Sequence, residues 1–169
     1  MKVFGIVGWK NSGKTTLVEK LVGEISGRGY SVSTIKHAHH AFDVDHPGKD
    51  SYRHRVAGAR EVLLTSSVRW ALMHEMRGET QPSLAELLSQ LSPVDLVLVE
   101  GFKSETMLKL EVRANPADQE TTPEPISDVI ALATTGPVAA AKIPVMDLND
   151  VATIADFILS ASGLIIRRP

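Results

Sequence analysis

The residues best suited to chemistry form one short run, Gly8-Trp9-Lys10-Asn11-Ser12-Gly13-Lys14-Thr15-Thr16. It fits the spacing G-x-x-x-x-G-K-[ST]. The two glycines allow a tight turn and let backbone N–H groups approach a phosphate closely. Lys14 supplies a positive charge for the β- and γ-phosphates, and Thr15 offers a hydroxyl to Mg²⁺. The run therefore predicts a phosphate-binding loop between a strand and a helix.

A second candidate residue, Glu100, ends the apolar run Leu96-Val97-Leu98-Val99. A carboxylate at the end of a buried strand beside the loop strand can hold Mg²⁺, directly or through water, or orient an attacking water. Asp95 precedes the same strand, so we expect it at the opposite end of the sheet. Glu100 is thus the predicted acidic partner of the phosphate loop.

A polar loop rich in histidine follows the second predicted strand and contains His37, His39, His40 and His46. It is consistent with three interpretations: a segment that orders around a nucleotide, a site for Zn²⁺ or Ni²⁺, and a solvated loop with no specific role. In the first interpretation, Asp45 or Asp43 could hold a metal-bound water. Spacing alone does not choose among the three.

Strands and helices alternate along the chain, which predicts an α/β fold around a mainly parallel sheet, with an antiparallel edge or hairpin in the middle. Ser83 and Glu86 have the spacing of a capping box. The predicted strands are 2–7, 31–36, 62–66, 68–73, 95–100, 108–112, 129–132 and 143–146, and the predicted helices are 14–28, 50–58, 83–91 and 150–161.

The composition limits the possible functions. The chain has 169 residues, 43% of them apolar and 22% charged, which is ordinary for one globular domain over residues 1–169. The absence of cysteine excludes thiol catalysis and cysteine-ligated metals. A net charge of −2 does not suggest nucleic-acid binding, and no apolar run reaches the ~18 residues that a membrane span needs. We therefore expect a cytoplasmic protein.

Several sequence blocks together resemble the molybdopterin-guanine dinucleotide biosynthesis protein B (MobB) family. They occur in order along residues 5–103, and the similarity extends to a short block near residue 150. The blocks are Gly8 to Thr16, Ile35-Lys36-His37 with His40, Asp45-His46-Pro47-Gly48-Lys49-Asp50-Ser51, Ala57-Gly58-Ala59, Val99-Glu100-Gly101-Phe102-Lys103 and Asp147-Leu148-Asn149-Asp150.

The resemblance implies a P-loop NTPase fold, GTP and Mg²⁺ as ligands, and weak intrinsic GTPase activity. It also implies a homodimer that assists MobA, the guanylyltransferase that attaches GMP to molybdopterin, and the molybdopterin precursor is a further candidate partner. Carried over, Mg²⁺ binding falls on Thr15 and Glu100, and hydrolysis involves Glu100, Asp45 and Lys14. The nucleotide-binding residues are Lys10, Asn11, Ser12, Gly13, Lys14, Thr15 and Thr16.

Guanine selection has no recognisable motif, because no Asn-Lys-x-Asp run exists in the chain. The strand end Thr134-Thr135-Gly136 is where that motif is expected, and Asp147 or Asn149 could read the base instead. We predict the dimer interface within residues 107–133.

Two other functions stay open from the sequence alone. One is a P-loop kinase of a small metabolite, with Arg53, Arg55 and Arg60 as candidate phosphate ligands. The other is an NTPase that delivers a metal through the histidine loop.

Overall fold

The fold is built around a six-stranded sheet in a computed structural model that describes residues 1–38, 42–113, 125–138 and 141–166. The strands are β1 (Lys2–Gly8), β2 (Val32–Lys36), β3 (Glu61–Thr65), β4 (Trp70–His74), β5 (Leu96–Glu100), β6 (Lys109–Arg113), β7 (Val129–Thr134) and β8 (Val145–Asp147). The helices are α1 (Lys14–Gly27), α2 (Asp50–Val56), α3 (Leu84–Ser89) and α4 (Val151–Ala161).

Contacts between residues group the chain into two units. The first unit contains Met1–His37 and Leu87–Pro169, and the second contains Ala38–Glu86. The prediction of one domain over residues 1–169 stays a prediction. No helix in the described ranges has the length and apolar character that crossing a membrane requires.

The sheet of the first unit has the order β2-β5-β1-β6-β7-β8, and each neighbouring pair is parallel. All five residues of β5 are buried, as is the stretch Phe4 to Gly8 of β1. Strands with both faces covered need continuous apolar runs, which these two segments supply. The predicted mainly parallel α/β fold is confirmed, and it brings the carboxyl ends of β1, β2 and β5 to one edge.

Helices α1 and α4 cover one face of this sheet. The apolar spacing of each helix places one stripe on the strands. Asp150 caps the start of helix α4, because its carboxylate accepts hydrogen bonds from the Thr153 backbone N–H (3.1 Å) and hydroxyl (2.7 Å). The buried core contains, among others, Phe4, Ile6, Leu17, Leu21, Ile25, Leu98, Leu110, Ile154, Ile158 and Leu159.

The opposite edge of the sheet is fixed by Asp95, as the sequence predicts. Its carboxylate accepts hydrogen bonds from the Ser31 backbone N–H (2.8 Å) and from the Ser31 hydroxyl (2.6 Å). These bonds join the start of β2 to the start of β5, away from the phosphate loop.

The second unit contains the antiparallel pair of β3 and β4, in which Leu63 lies opposite Leu72. This pair forms a separate two-stranded sheet, so the predicted hairpin is present and does not form an edge of the parallel sheet. The capping box is also confirmed, because the Ser83 backbone N–H donates to the Glu86 carboxylate at 2.8 Å.

Helix α3 ends at Ser89 rather than at the predicted Leu91. The N–H of Gln90 and that of Leu91 bond to carbonyls only three residues back, so the last turn is tightened. Pro93 follows shortly afterwards and cannot continue a helix.

Candidate functional site

The phosphate loop lies between β1 and α1, at the centre of the sheet. A Cβ on Gly8 would lie 2.5 Å from the Val112 carbonyl oxygen, so only glycine fits there. Gly13 has φ +91°, a left-handed conformation that glycine adopts without strain, and Asn11 has φ +63°. The tight turn that the two glycines predict is therefore present.

The start of α1 is suited to bind an anion. Gly13 occupies the N-cap position, and no side chain within the described ranges caps the helix there. The first-turn N–H groups of a helix have no partner in the helix itself, and the positive end of its dipole points the same way. An uncapped N-terminus in a loop of this shape is the arrangement that binds phosphate in many proteins.

Lys14 folds back over the loop that precedes it. Its ammonium donates to the Trp9 carbonyl oxygen at 2.5 Å and to the Ser12 hydroxyl at 3.3 Å. Burial lowers the pKa of Lys14, the Glu100 carboxylate opposes this, and the charges of Lys103 and Lys36 lower the pKa further. A partly buried ammonium among other cations is a favourable position for a bound anion.

Thr15 and Glu100 meet although 85 residues separate them, because β1 and β5 are parallel neighbours. The Thr15 hydroxyl donates to a Glu100 carboxylate oxygen at 2.7 Å, and Glu100 is buried. A hydroxyl and a carboxylate are hard oxygen ligands of the kind that Mg²⁺ prefers. The two residues thus fit a magnesium ion, together with phosphate oxygens and water.

Lys36 also lies at this point, and the sequence reasoning gave it no role. Its ammonium is 3.1 Å from the Thr15 hydroxyl oxygen and 3.3 Å from the same Glu100 oxygen. It arrives there because Lys36 ends β2, in register with Glu100 of the neighbouring strand. A lysine that ends a strand next to an acidic strand end is the signal that could have found it.

The segment after Glu100 turns back towards the phosphate loop. Gly101 and Phe102 both have positive φ, +95° and +53°. Phe102 is buried and stacks on the His37 ring, with centroids 4.6 Å apart. The next residue, Lys103, places its ammonium 3.4 Å from the centre of the Trp9 ring. The sequence reasoning also gave Lys103 no role.

The other residues predicted to bind the nucleotide differ in their exposure. Lys10, Asn11 and Thr16 are exposed at the surface, whereas Ser12 is buried. Their predicted contacts with a nucleotide stay a prediction.

A cavity of about 320 Å³ lies at the ends of β7 and β8, on the same edge as the phosphate loop. Asp147 lines it, and its carboxylate accepts hydrogen bonds from the backbone N–H (2.8 Å) and side-chain amide (3.1 Å) of Asn149. Leu148 connects the two regions, because a Cβ on Gly13 would lie 3.5 Å from its methyl carbon. The other lining residues are Thr134, Thr135, Gly136, Pro137, Val145 and Met146.

Asp45 belongs to a cluster of charges in the second unit. One of its carboxylate oxygens accepts a hydrogen bond from Arg55 at 2.7 Å, and the other has no partner in the described ranges. This hydrogen bond from Arg55 to Asp45 is the main cause that raises the pKa of the Arg55 guanidinium, with Glu75 and Asp43 adding to it. Its role in metal binding or hydrolysis stays a prediction.

The other candidates for kinase or metal chemistry have partners or lie elsewhere. Arg60 pairs with Glu79, and Arg53 lies 3.7 Å from Asp50. His39 and His40 lie outside the described residues. Within the described ranges, no group of three histidine, aspartate or glutamate side chains is placed to hold a metal.

Known proteins of similar sequence cover nearly the whole chain. The family model for molybdopterin guanine dinucleotide synthesis protein B matches residues 3–135. A molybdopterin-guanine dinucleotide biosynthesis adapter protein of Escherichia coli strain K12 is 40% identical over 162 residues, which are 93% of this chain and 91% of that protein. A protein of the same name from Haemophilus influenzae is 42% identical, over 92% of this chain and 86% of that protein.

Solved structures agree with these sequence matches. The crystal structure of Bacillus subtilis MobB has a TM-score of 0.76 and 25% identity, and the match covers 95% of this chain and 97% of that one. A MobB homologue from Bacillus stearothermophilus has a TM-score of 0.72 at 25% identity, over 96% of this chain and 99% of that one. On these grounds of sequence and fold, the chain belongs to the MobB family, the molybdopterin-guanine dinucleotide biosynthesis protein B family.

Proposed function

We propose that this protein is a GTP-binding adapter in the biosynthesis of the guanine dinucleotide form of the molybdenum cofactor, with weak Mg²⁺-dependent GTPase activity. The observation that carries the proposal is the phosphate loop, with Thr15 bonded to Glu100 beside an uncapped helix start. These features supply what a triphosphate and its magnesium ion need. The adapter role comes from the names of the similar proteins.

Slow hydrolysis follows from the charges around the loop. Fast hydrolysis in this class of site needs an arginine that stabilises the transition state. In the first unit, the described arginines are Arg28 and Arg113, and both form ion pairs with carboxylates of their own unit. The protein is therefore suited to bind and hold GTP, and we propose that a MobA-type guanylyltransferase is the partner that it assists. The molybdopterin precursor is a second candidate ligand for that assembly.

Guanine selection is proposed for Asp147, at the cavity next to the loop. A carboxylate accepts hydrogen bonds and donates none when ionised. Guanine presents two neighbouring donors, its N1–H and its 2-amino group, whereas adenine has neither at those positions. Asp147 therefore favours guanine, provided that the base occupies the cavity of about 320 Å³.

The experiment is calorimetric titration of the protein with GTP and with ATP in the presence of Mg²⁺. We expect GTP to bind at least about tenfold more tightly, and Asp147→Ala to remove most of this preference, since a hydrogen bond to a charged group contributes about 1.5–3 kcal/mol. Lys14→Ala is the control for the phosphate loop and should weaken both nucleotides. A preference for ATP would contradict the guanine assignment, and unchanged affinity in folded Lys14→Ala would contradict the phosphate loop.

A further inference from the structure

Lys103 is a cation beside the phosphate loop that is held by an aromatic ring rather than by a carboxylate. Its ammonium lies 3.4 Å from the centre of the Trp9 ring, and it forms no ion pair within the described ranges. Burial lowers the pKa of Lys103 and the charge of Glu111 opposes this, but the Glu111 carboxylate already accepts two hydrogen bonds from the Arg113 guanidinium, each at 2.9 Å. Lys103 therefore has an aromatic ring as its close partner, and no carboxylate within the described ranges lies at ion-pair distance from its ammonium.

The backbone that carries Lys103 is fixed firmly. Its carbonyl oxygen accepts a hydrogen bond at 2.8 Å from Lys109, whose side chain is fully buried. Lys109 also donates to the Ser127 carbonyl oxygen at 3.1 Å. The two positive-φ residues, Gly101 and Phe102, bring the chain back to the loop directly after Glu100. The fold thus sets the position of the Lys103 backbone, whereas its ammonium is held by the contact with the Trp9 ring.

Lys103 also lies close to Lys14, the lysine of the phosphate loop. The Lys103 ammonium lies against the Trp9 ring, and the Lys14 ammonium donates to the carbonyl oxygen of the same Trp9, so the two ammonium groups share one region of the site. The charge of Lys103 accordingly adds to the burial that lowers the pKa of Lys14. The motif lysine reaches the β- and γ-phosphates of a bound nucleotide. A second cation in the same region therefore faces the same phosphates.

We infer that Lys103 is a γ-phosphate ligand, which the Trp9 ring holds in the free protein and releases when a nucleoside triphosphate binds. An exposed cation–π contact contributes only about 0.5–1 kcal/mol. A hydrogen bond between an ammonium and a phosphate is stronger, so the triphosphate takes the lysine from the ring. A diphosphate ends short of it, so Lys103 discriminates between the two. This inference rests on the proposed function.

The test uses the fluorescence of Trp9 to report whether the Lys103 ammonium stays on its ring. The chain has two tryptophans, so Trp70→Phe leaves Trp9 as the only one. In this parent protein we measure emission and affinity with Mg²⁺ and either GDP or the βγ-imido analogue of GTP. We expect an emission change with the triphosphate analogue beyond that caused by GDP, because the ammonium leaves the ring.

Substitutions of Lys103 then decide the role. Lys103→Met should lower the ratio of triphosphate to diphosphate affinity by about tenfold and abolish the extra emission change. Lys103→Arg should restore most of the ratio because it keeps the positive charge. Lys20→Met, on the exposed side of α1, removes the same charge at a distance from the loop and should behave as the parent.

The outcomes separate this inference from the proposed function. If the parent binds both nucleotides and Lys103→Met keeps the parent ratio, the inference is wrong while the phosphate loop stands. If Lys103→Met and Lys20→Met lower the ratio equally, the effect is general electrostatics and the inference is again wrong. If the parent binds neither nucleotide, both the proposed function and the inference are wrong.

Discussion

At the scale of single residues, Glu100 is a buried carboxylate that lies beside the Thr15 hydroxyl, where a magnesium ion would bind. One of its carboxylate oxygens accepts from Thr15 at 2.7 Å and lies 3.3 Å from the Lys36 ammonium. In the free protein, the lysine thus supplies the positive charge next to the carboxylate. A magnesium ion that arrives with a triphosphate would take this place.

Glu100→Gln tests that assignment. The amide keeps the shape of the side chain and still accepts a hydrogen bond, but it lacks the charge that attracts Mg²⁺. We expect GTP hydrolysis to fall at least about tenfold, and the gain in GTP affinity on adding Mg²⁺ to disappear. A loss of about 1.4 kcal/mol of interaction free energy is enough for a tenfold change. Calorimetry with and without Mg²⁺ and a phosphate-release assay measure the two effects.

The matched control is Glu19→Gln, which removes a carboxylate from the exposed part of α1. It should keep the response to Mg²⁺. A Glu100→Gln protein that still gains affinity from Mg²⁺ as the unchanged protein does would contradict the assignment.

The site was predictable from the sequence only where its residues form a contiguous pattern. The loop from Gly8 to Thr16 is a local motif, and Glu100 ends an unmistakable buried strand, so both could be identified. Lys36 and Lys103 join them through strand order, with β2 and β1 on either side of β5. No local pattern encodes that order, and an ordinary lysine at a strand end or in a turn looks like a solvated charge.

At the scale of elements, β1 and β6 pack closely because Gly5 leaves room for a buried lysine. A Cβ on Gly5 would lie 2.9 Å from Cγ of Lys109 and 3.0 Å from Cε of Met107. Met107 lies in the segment just before β6, whereas Lys109 is fully buried and donates two hydrogen bonds to backbone carbonyls. Gly5 therefore leaves room for the Lys109 side chain, which in turn bonds to the Lys103 carbonyl oxygen and holds that loop in place.

Gly5→Ala should lower the free energy of unfolding by about 1–3 kcal/mol, the usual effect of overpacking a core. Urea denaturation followed by circular dichroism measures it. Gly23→Ala is the control, because Gly23 lies inside α1 and a Cβ there would have open space around it, with no neighbouring atom within 4 Å. That change should raise the free energy of unfolding by about 0.5–1 kcal/mol. Equal effects in the two proteins would contradict the packing argument.

Element types followed the sequence well because their patterns are local. The apolar spacing of α1 is helical, and the short run Leu96-Val97-Leu98-Val99 between Pro93 and Gly101 has the length and the β-branched residues of a buried strand. What the sequence left open was whether the predicted hairpin of β3 and β4 forms an edge of the main sheet. The structure places them in a sheet of their own. Hydrophobic alternation defines which residues share a face, but it does not say what that face will cover.

At the scale of the whole molecule, the hairpin carries an uncovered apolar face. Leu63, Leu72 and Trp70 share one side of the pair, with exposed fractions of 59%, 45% and 67%. Exposed apolar patches on soluble proteins mark interaction surfaces. The predicted interface within 107–133 fits less well, because Lys109 to Val112 are buried within the sheet and residues 114–124 lie outside the described ones. We therefore propose this hairpin face as the interface of the predicted homodimer.

The unchanged protein should scatter light as about twice 18.3 kDa at micromolar concentration. Leu72→Glu should give the monomer mass, because burying an unpaired charge in an apolar contact is strongly unfavourable. Val56→Glu is the control, since Val56 is an equally apolar residue, 68% exposed, on α2. A monomer in the unchanged protein, or a dimer that survives Leu72→Glu, would contradict the proposed interface.

The strand order of the main sheet also has a consequence for synthesis on the ribosome. Strand β1 lies between β5 and β6, and Lys2 pairs with Leu96 while Gly5 pairs with Lys109. At about 5–20 residues per second, β5 follows β1 out of the ribosome after about 5–20 s. Helix α1 forms from local contacts in that time, but the apolar segment Phe4-Gly5-Ile6-Val7 has no strand to pair with. The segment that leads into the phosphate loop therefore lacks one or both of its strand partners until β5 and β6 have both been made.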